Sequence, residues 1–391
     1  MRIRPRHLLA TLTGSAVALT LLVVPATAAT STPAVTLAAT PTTLKFGLST
    51  TAYGHVTPRQ RGQTVTLMDQ NGHVLARPTT NAEGRYKASF VPRKTIWLHA
   101  QWKGAKSPAV RIRVRAVVTV GLGHVLLFGN AVAWGKVRPI NPGARVEVVL
   151  VRGNTPVARQ FVPMGRRGKF KTRFYVPMPG TYRARAIFDD DEHLPGKARS
   201  GASTTPMPSL QAGSRGEVVF LLERRLVALH YRLAGVDRRF DFRTADAVMA
   251  FRKVQGLARI NTVDSKVWHK LAFPRHPKVR LKTKGRHIEV NQSLQVLMVV
   301  VDGKIAYILH VSTGKPSTPT PDGSFRVWRK LAGFSGHHLY YPSYFDGRRA
   351  IHGWTEVPPY AASHGCVRIP YWNAIWMFGL DPIGTRVLVY H

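Results

Sequence analysis

The chain has 391 residues, 44% of them hydrophobic, which is too long for one ordinary domain and apolar enough to bury several cores. Its 57 lysines and arginines stand against 19 acidic residues, a formal charge of +38 that excludes an electrostatically indifferent surface and predicts adhesion to polyanions. No basic helix with heptads, zinc-finger spacing or aromatic RNA-binding signature accompanies that charge, so it favours the anionic polymers and phospholipids of a cell envelope over specific nucleic acid.

At the N-terminus, Arg2, Arg4 and Arg6 precede an apolar run from Leu8 to Val24, and Ala26-Thr27-Ala28 supplies a small-residue cleavage site. Residues 1–29 are thereby a signal peptide, and the protein is exported and extracytoplasmic. The apolar run is short of the ~20 residues that span a bilayer comfortably, so cleavage is expected rather than anchoring.

From about residue 40 to 205, short apolar/polar alternations punctuated by glycine and proline predict half-buried antiparallel strands. The stretch repeats itself. Gly54-His55-Val56-Thr57-Pro58 is echoed by Gly135-Lys136-Val137-Arg138-Pro139, and Gly84-Arg85-Tyr86-Lys87 by Gly168-Lys169-Phe170-Lys171. Two β-sandwich modules of immunoglobulin-like size follow, 40–116 and 117–195, with a linker at 196–208 inferred from its Ser, Thr, Ala, Gly and Pro content. Their expected role is to space the C-terminal part or to grip the wall.

Beyond the linker the period becomes helical. Val218, Leu221, Leu222, Leu226 and Leu229 form one stripe, and Ala247, Val248, Phe251 and Val254 a second; a third short helix is expected around Ser265–Leu271. Residues 209–273 thus make a small three-helix bundle. Gly213, Gly216, Leu222, Leu226, Tyr231, Phe240, Phe251, Gly256, Leu257 and Trp268 resemble the pattern of the peptidoglycan-binding-like domain. Glu223 and Arg252 depart from it where glutamine is common, and Arg238-Arg239 replaces the usual Asp-Gly.

From about 279 to 391 the period returns to two. Strands are expected at His287–Asn291, Gln295–Val301, Lys304–Ser312 and Ser324–Lys330, with a hairpin at Asp302-Gly303. A further strand delivers His352, a short helix covers Tyr371–Phe378, and Arg386–Tyr390 closes a mostly-β domain.

Within this domain lies the only cysteine of the sequence, Cys366, which can form no internal disulfide. A thiol is a nucleophile only as thiolate, so it needs a base, and His352 and His364 stand nearby. His352, His364 and Cys366 are also zinc-ligand types, but no fourth ligand has recognisable spacing. The amides of Gly365 and Cys366 are candidate oxyanion donors. Arg368 offers a planar cation for a carboxylate. Tyr340, Tyr344 and Trp354 are candidate walls of a peptide cleft.

Ile351-His352-Gly353 followed by Ser363-His364-Gly365-Cys366-Val367-Arg368, with Ser312-Thr313-Gly314-Lys315-Pro316 upstream, resembles the signature of the L,D-transpeptidase catalytic domain. The resemblance implies Cys366 as acyl-accepting nucleophile, His352 as general base, the Gly353 carbonyl orienting that imidazole, and His364 with Gly365 on the oxyanion side. It implies peptidoglycan stem peptides and glycan as partners, a cell-wall-associated monomer, and no metal or organic cofactor. A carboxypeptidase on the same substrate and a catalytically silent cationic wall-binding protein are the competing readings.

Overall fold

The computed structural model describes residues 32–391. The proposed signal peptide, residues 1–29, lies outside them, and no described helix is long and apolar enough to cross a membrane. The described residues are mainly β with four α-helices, and the chain divides into two compact units at Arg113/Val114.

In the first unit, Thr50–Thr57 pairs with Ala34–Val35, Ala38–Thr40 and Arg85–Phe90. A second layer contains Thr66–Met68, Val74–Ala76, Ile96–Trp102 and Val110–Arg115. Period-two burial drives both: Ile96, Leu98, Ala100 and Trp102 are buried, while the residues between them face outward. The second unit opens with a β region that reuses the scheme. Val117–Leu122, Asn130–Arg138 and Lys169–Tyr175 form one sheet, and Arg145–Arg152, Thr155–Pro163 and Thr181–Asp190 belong to another. The echoed motifs do the same work in each copy, since Val56 N–H donates to the Gly84 carbonyl at 2.9 Å and Val137 N–H to Gly168 at 2.8 Å.

The linker expected at 196–208 is corrected over its first half. His193–Arg199 is a strand pairing with Thr181–Asp190, and Ser203–Thr204 pairs with Thr181 and Tyr182. Gly196 is there for space rather than flexibility: a Cβ on it would stand 2.5 Å from the Ala116 carbonyl oxygen.

Helices α1 (Glu217–Ala228), α2 (Phe242–Val254) and α3 (Ser265–Ala272) follow. Asp241 caps α2 through the amides of Arg243 and Thr244, and Asp264 caps α3 through Val267. The unusual residues are accommodated by local hydrogen bonds. Buried Glu223 accepts from Asp237 N–H, Arg238 N–H and Thr244 Oγ1, while buried Arg252 donates to the carbonyls of Ala258 and Thr262. Arg238 adopts φ +68°, the left-handed region that glycine prefers.

The C-terminal region is two sheets over a shared core. One has the order Lys304–His310, Val296–Val301, Arg286–Asn291, Arg386–Tyr390, Gly323–Arg326. The other runs Arg329–Lys330, Tyr340–Asp346, Arg349–Trp354, Val367–Pro370. Leu297, Val299, Leu309, Phe345, Ile351, Val367 and Val387 fill the space between. The single strand expected at Ser324–Lys330 is two, because buried Val327 marks the crossing: its N–H bonds to Thr385, just ahead of the last strand of one sheet, and the next residue's to Tyr344 of the other. Val296, Met298 and Val300 face the opposite way and join one core with Leu222, Phe251 and Trp268 of the helices. Burial on both faces explains why this strand is apolar throughout.

Candidate active site

Two parallel neighbours, Arg349–Trp354 and Val367–Pro370, carry the site, with His352 opposite Arg368 and Gly353 opposite Ile369. Ile351, Val367 and Ile369 point into the core, so alternation turns Ala350, His352, Trp354 and Arg368 to the other face. Ring contacts agree: His352 and Trp354 meet edge to face at 5.5 Å, and the Arg368 guanidinium lies 5.0 Å from the Trp354 centroid. Cys366 immediately precedes the second strand on this side, where the Ala350 amide and the charges of Arg368 and Arg349 act on its sulfur.

His352 is buried, and its Nδ1 donates to the Gly353 carbonyl at 3.0 Å. That bond places the ring proton on Nδ1 and leaves Nε2 as an acceptor. Burial pushes the imidazole down to about 4, with the Gly353 carbonyl opposing and Arg368 assisting. Burial pushes the Cys366 thiol up from its ordinary value, against the Ala350 amide and the two arginines. Thiol and imidazole are both neutral near pH 7.

The nucleophile loop is fastened by hydroxyls. Ser363 Oγ donates to the Cys366 carbonyl at 2.6 Å and accepts from Gly365 N–H at 3.1 Å. Thr320 Oγ1 donates to the Gly365 carbonyl and accepts from Gly314 N–H, both at 2.9 Å. Thr313, held by Gln295 through Oγ1 and N–H, accepts from Ala362 and Ser363 N–H. The Gly365 amide expected to serve an oxyanion is therefore already bonded to Ser363. Gly365 has φ +109°, and a Cβ there would lie 2.9 Å from Arg349 Nε, so the turn requires glycine. His364 is exposed.

Tyr340 stacks on Tyr371 at 4.0 Å and 10° and packs against Phe334. Phe334, His338, Gly353, Trp354, Thr355 and Tyr371 line a cavity of about 280 Å³ beside His352. Tyr344 lies elsewhere on the same face, paired with Ala350 and flanked by Trp328 and Arg329. Sequence reasoning missed Phe334, Tyr371 and the hydroxyls of Ser363, Thr313 and Thr320; the Ser/Thr clustering at 312–320 was their signal.

The loop between His352 and Cys366 is also held from the helices. Lys253 on α2 donates to the carbonyls of Gln295 and Val311, each at 2.9 Å, and its Nζ lies 2.6 Å from His310 Nδ1. His310 Nε2 in turn donates to the Val357 carbonyl at 2.7 Å. Arg259 reaches the Pro359 carbonyl at 2.9 Å. Burial drives Lys253 down to about 6 and His310 to about 3.

Residues 285–389 match the family model of the L,D-transpeptidase catalytic domain, YkuD. The chain is 29% identical over 123 residues to the Bacillus subtilis (strain 168) protein named "Putative L,D-transpeptidase YqjB", covering 26% of this chain and 70% of that one. Among solved structures it is 33% identical to the L,D-transpeptidase (residues 123-326) from Xylanimonas cellulosilytica DSM 15894, covering 47% of this chain and 99% of that one at TM-score 0.45. It is 31% identical to the catalytic domain of the E. faecium L,D-transpeptidase acylated by ertapenem, covering 28% and 98% at TM-score 0.24.

Proposed function

Because residues 285–389 belong to the L,D-transpeptidase catalytic-domain family, we propose that this chain cross-links peptidoglycan stem peptides through a thioester on Cys366, outside the cytoplasm. The sulfur attacks the carbonyl joining a diamino acid to a terminal D-residue while its proton passes to His352 Nε2. The tetrahedral oxyanion is met by the Cys366 amide, since the Gly365 amide is engaged by Ser363. Collapse expels the D-amino acid, whose nitrogen takes the proton from His352. An amine of a neighbouring stem then attacks the thioester, forming the new amide and returning the thiol. Arg368 and Arg349 supply positive charge beside the sulfur for the carboxylate of the donor stem.

The observation that carries this reading is the Nδ1–H bond to Gly353, which commits the remaining ring nitrogen to accepting a proton on the face that Cys366 shares. The N-terminal β modules are taken as immunoglobulin-like, and α1–α3 as a peptidoglycan-binding-like bundle whose role here is to brace the catalytic domain.

The test incubates the chain from residue 32 onward with a disaccharide tetrapeptide and reads products by mass spectrometry. A cross-linked dimer and free D-amino acid are expected, with a carbapenem adduct on the wild type and none on Cys366→Ala. Tripeptide without dimer would make it a carboxypeptidase. No turnover and no adduct would overturn the enzyme reading.

A further inference from the structure

The two β modules carry the same pocket at equivalent positions. In the first, Tyr53, Thr79, Asn81, Arg85 and Lys87 line a cavity of about 730 Å³. In the second, Trp134, Pro163, Gly165, Lys169 and Lys171 line one of about 600 Å³. The aromatics correspond through the repeated motif, Tyr53 preceding Gly54 and Trp134 preceding Gly135.

Strand register makes the likeness closer. Tyr53 faces Lys87 across the strands, and Trp134 faces Lys171. On the next rung of the same face, His55 stands opposite Arg85 and Lys136 opposite Lys169. Each pocket is thus an aromatic–lysine pair beside a rung of two nitrogen bases or cations. In the second module Lys136 and Lys169 are like charges placed directly opposite one another, an arrangement that destabilises a sheet. Among the described residues, no aspartate or glutamate lines either pocket to relieve them. A bound anion would.

The aromatic residues are platforms rather than core. Tyr53 is 44% exposed and Trp134 47%. A Cβ on Gly121 would meet the Trp134 ring at 2.8 Å and one on Gly123 at 3.4 Å, so the indole rests on a glycine floor with its other face open. A flat aromatic face bordered by hydroxyl and amide groups, Thr40, Thr51, Thr79 and Asn81 in the first module, suits the apolar face and hydroxyls of a sugar ring. Single-stranded nucleic acid would call for successive stacking platforms along a groove, whereas each pocket presents one exposed ring.

We propose that the β modules are a duplicated binding site for an anionic glycan. One sugar ring stacks on Tyr53 or Trp134, and its carboxylate or phosphate is held by Arg85 and Lys87, or by Lys136, Lys169 and Lys171. The site lies outside the catalytic domain and stands whether or not Cys366 is an acyl-enzyme nucleophile.

Calorimetry at 150 mM salt on the chain from residue 32 onward tests this, using a polyuronate, a phosphodiester-linked glycopolymer, neutral dextran and a single-stranded oligonucleotide. The acidic glycans bind and dextran does not, and whichever of the two binds tighter identifies carboxylate or phosphate as the anion. Tyr53→Ala and Trp134→Ala each weaken binding about tenfold, from loss of one stacking contact, and together abolish it. Both side chains are exposed, and unchanged circular dichroism verifies the fold. Lys87→Gln with Lys171→Gln lowers both affinity and its salt dependence. Cys366→Ala binds like wild type. Affinity unaffected by the two aromatic substitutions, or tighter binding of the oligonucleotide through the same residues, overturns the proposal.

Discussion

Neutral thiol and neutral imidazole in the resting site have a measurable signature in the pH dependence of alkylation. With His352 near 4 and burial raising the Cys366 thiol above its ordinary value, moving the proton from sulfur to nitrogen in the resting site is uphill, and a standing thiolate–imidazolium pair is disfavoured. Even an ordinary thiol near 8.5 is only about 3% ionised at pH 7, and Cys366 falls below that. The rate of iodoacetamide modification, followed by intact mass, should therefore rise about tenfold per pH unit from 6 to 8, with no plateau. His352→Ala should change that rate by less than about threefold, yet slow substrate acylation by roughly 10²–10⁴, because the imidazole acts only as the carbon–sulfur bond forms. An alkylation rate that is flat between pH 5 and 8 and collapses in His352→Ala would refute the reasoning, since it would require a preformed ion pair.

Ser363→Ala removes the hydroxyl that joins Gly365 N–H to the Cys366 carbonyl; acylation should fall ~10- to 100-fold for the ~1–3 kcal/mol of lost positioning, while the melting temperature moves little, and unchanged acylation kinetics would refute it. Lys253 has a folded pKa of about 6 against an ordinary 10.5, so its ammonium opposes folding at low pH and stability rises between those values as the pH rises. Lys253→Met should remove that contribution of about 1.4 kcal/mol per unit, flattening urea-midpoint curves between pH 6.5 and 8.5; an unaltered slope would show the lysine to be charged throughout.

Local patterns in the sequence pointed to the candidate residues and to the elements that carry them. The short apolar run Ala350-Ile351 announces the strand that delivers His352, and Asp302-Gly303 announces its hairpin by turn preference alone. What escaped was long-range. Thr320 reaches Gly365 across 45 residues and Lys253 reaches His310 across 57, and neither pairing leaves a trace in periodicity. The split of the strand at Val327 was hidden because an apolar residue suits both sheets it passes between. The strand at 193–199 was hidden because Gly196 looks like flexibility and acts as clearance. Even the Gly365 amide was misjudged only because the neighbouring hydroxyl of Ser363 competes for it.

The double-sided strand Val296–Val301 sets a practical limit on dissecting this protein. A fragment cut to the family match, beginning at residue 285, would strip α1–α3 from the sheet and open Val296, Met298, Val300 and Ile308 to water in one contiguous stripe. Such a stripe invites self-association, and the same cut frees the Pro359 carbonyl from Arg259 and strips Lys253 from His310, the residue that holds the Val357 carbonyl. A soluble, competent catalytic fragment has to start ahead of residue 209, so expression trials that compare the two start points would read out how far the helices act as a lining for the enzyme rather than as a passenger.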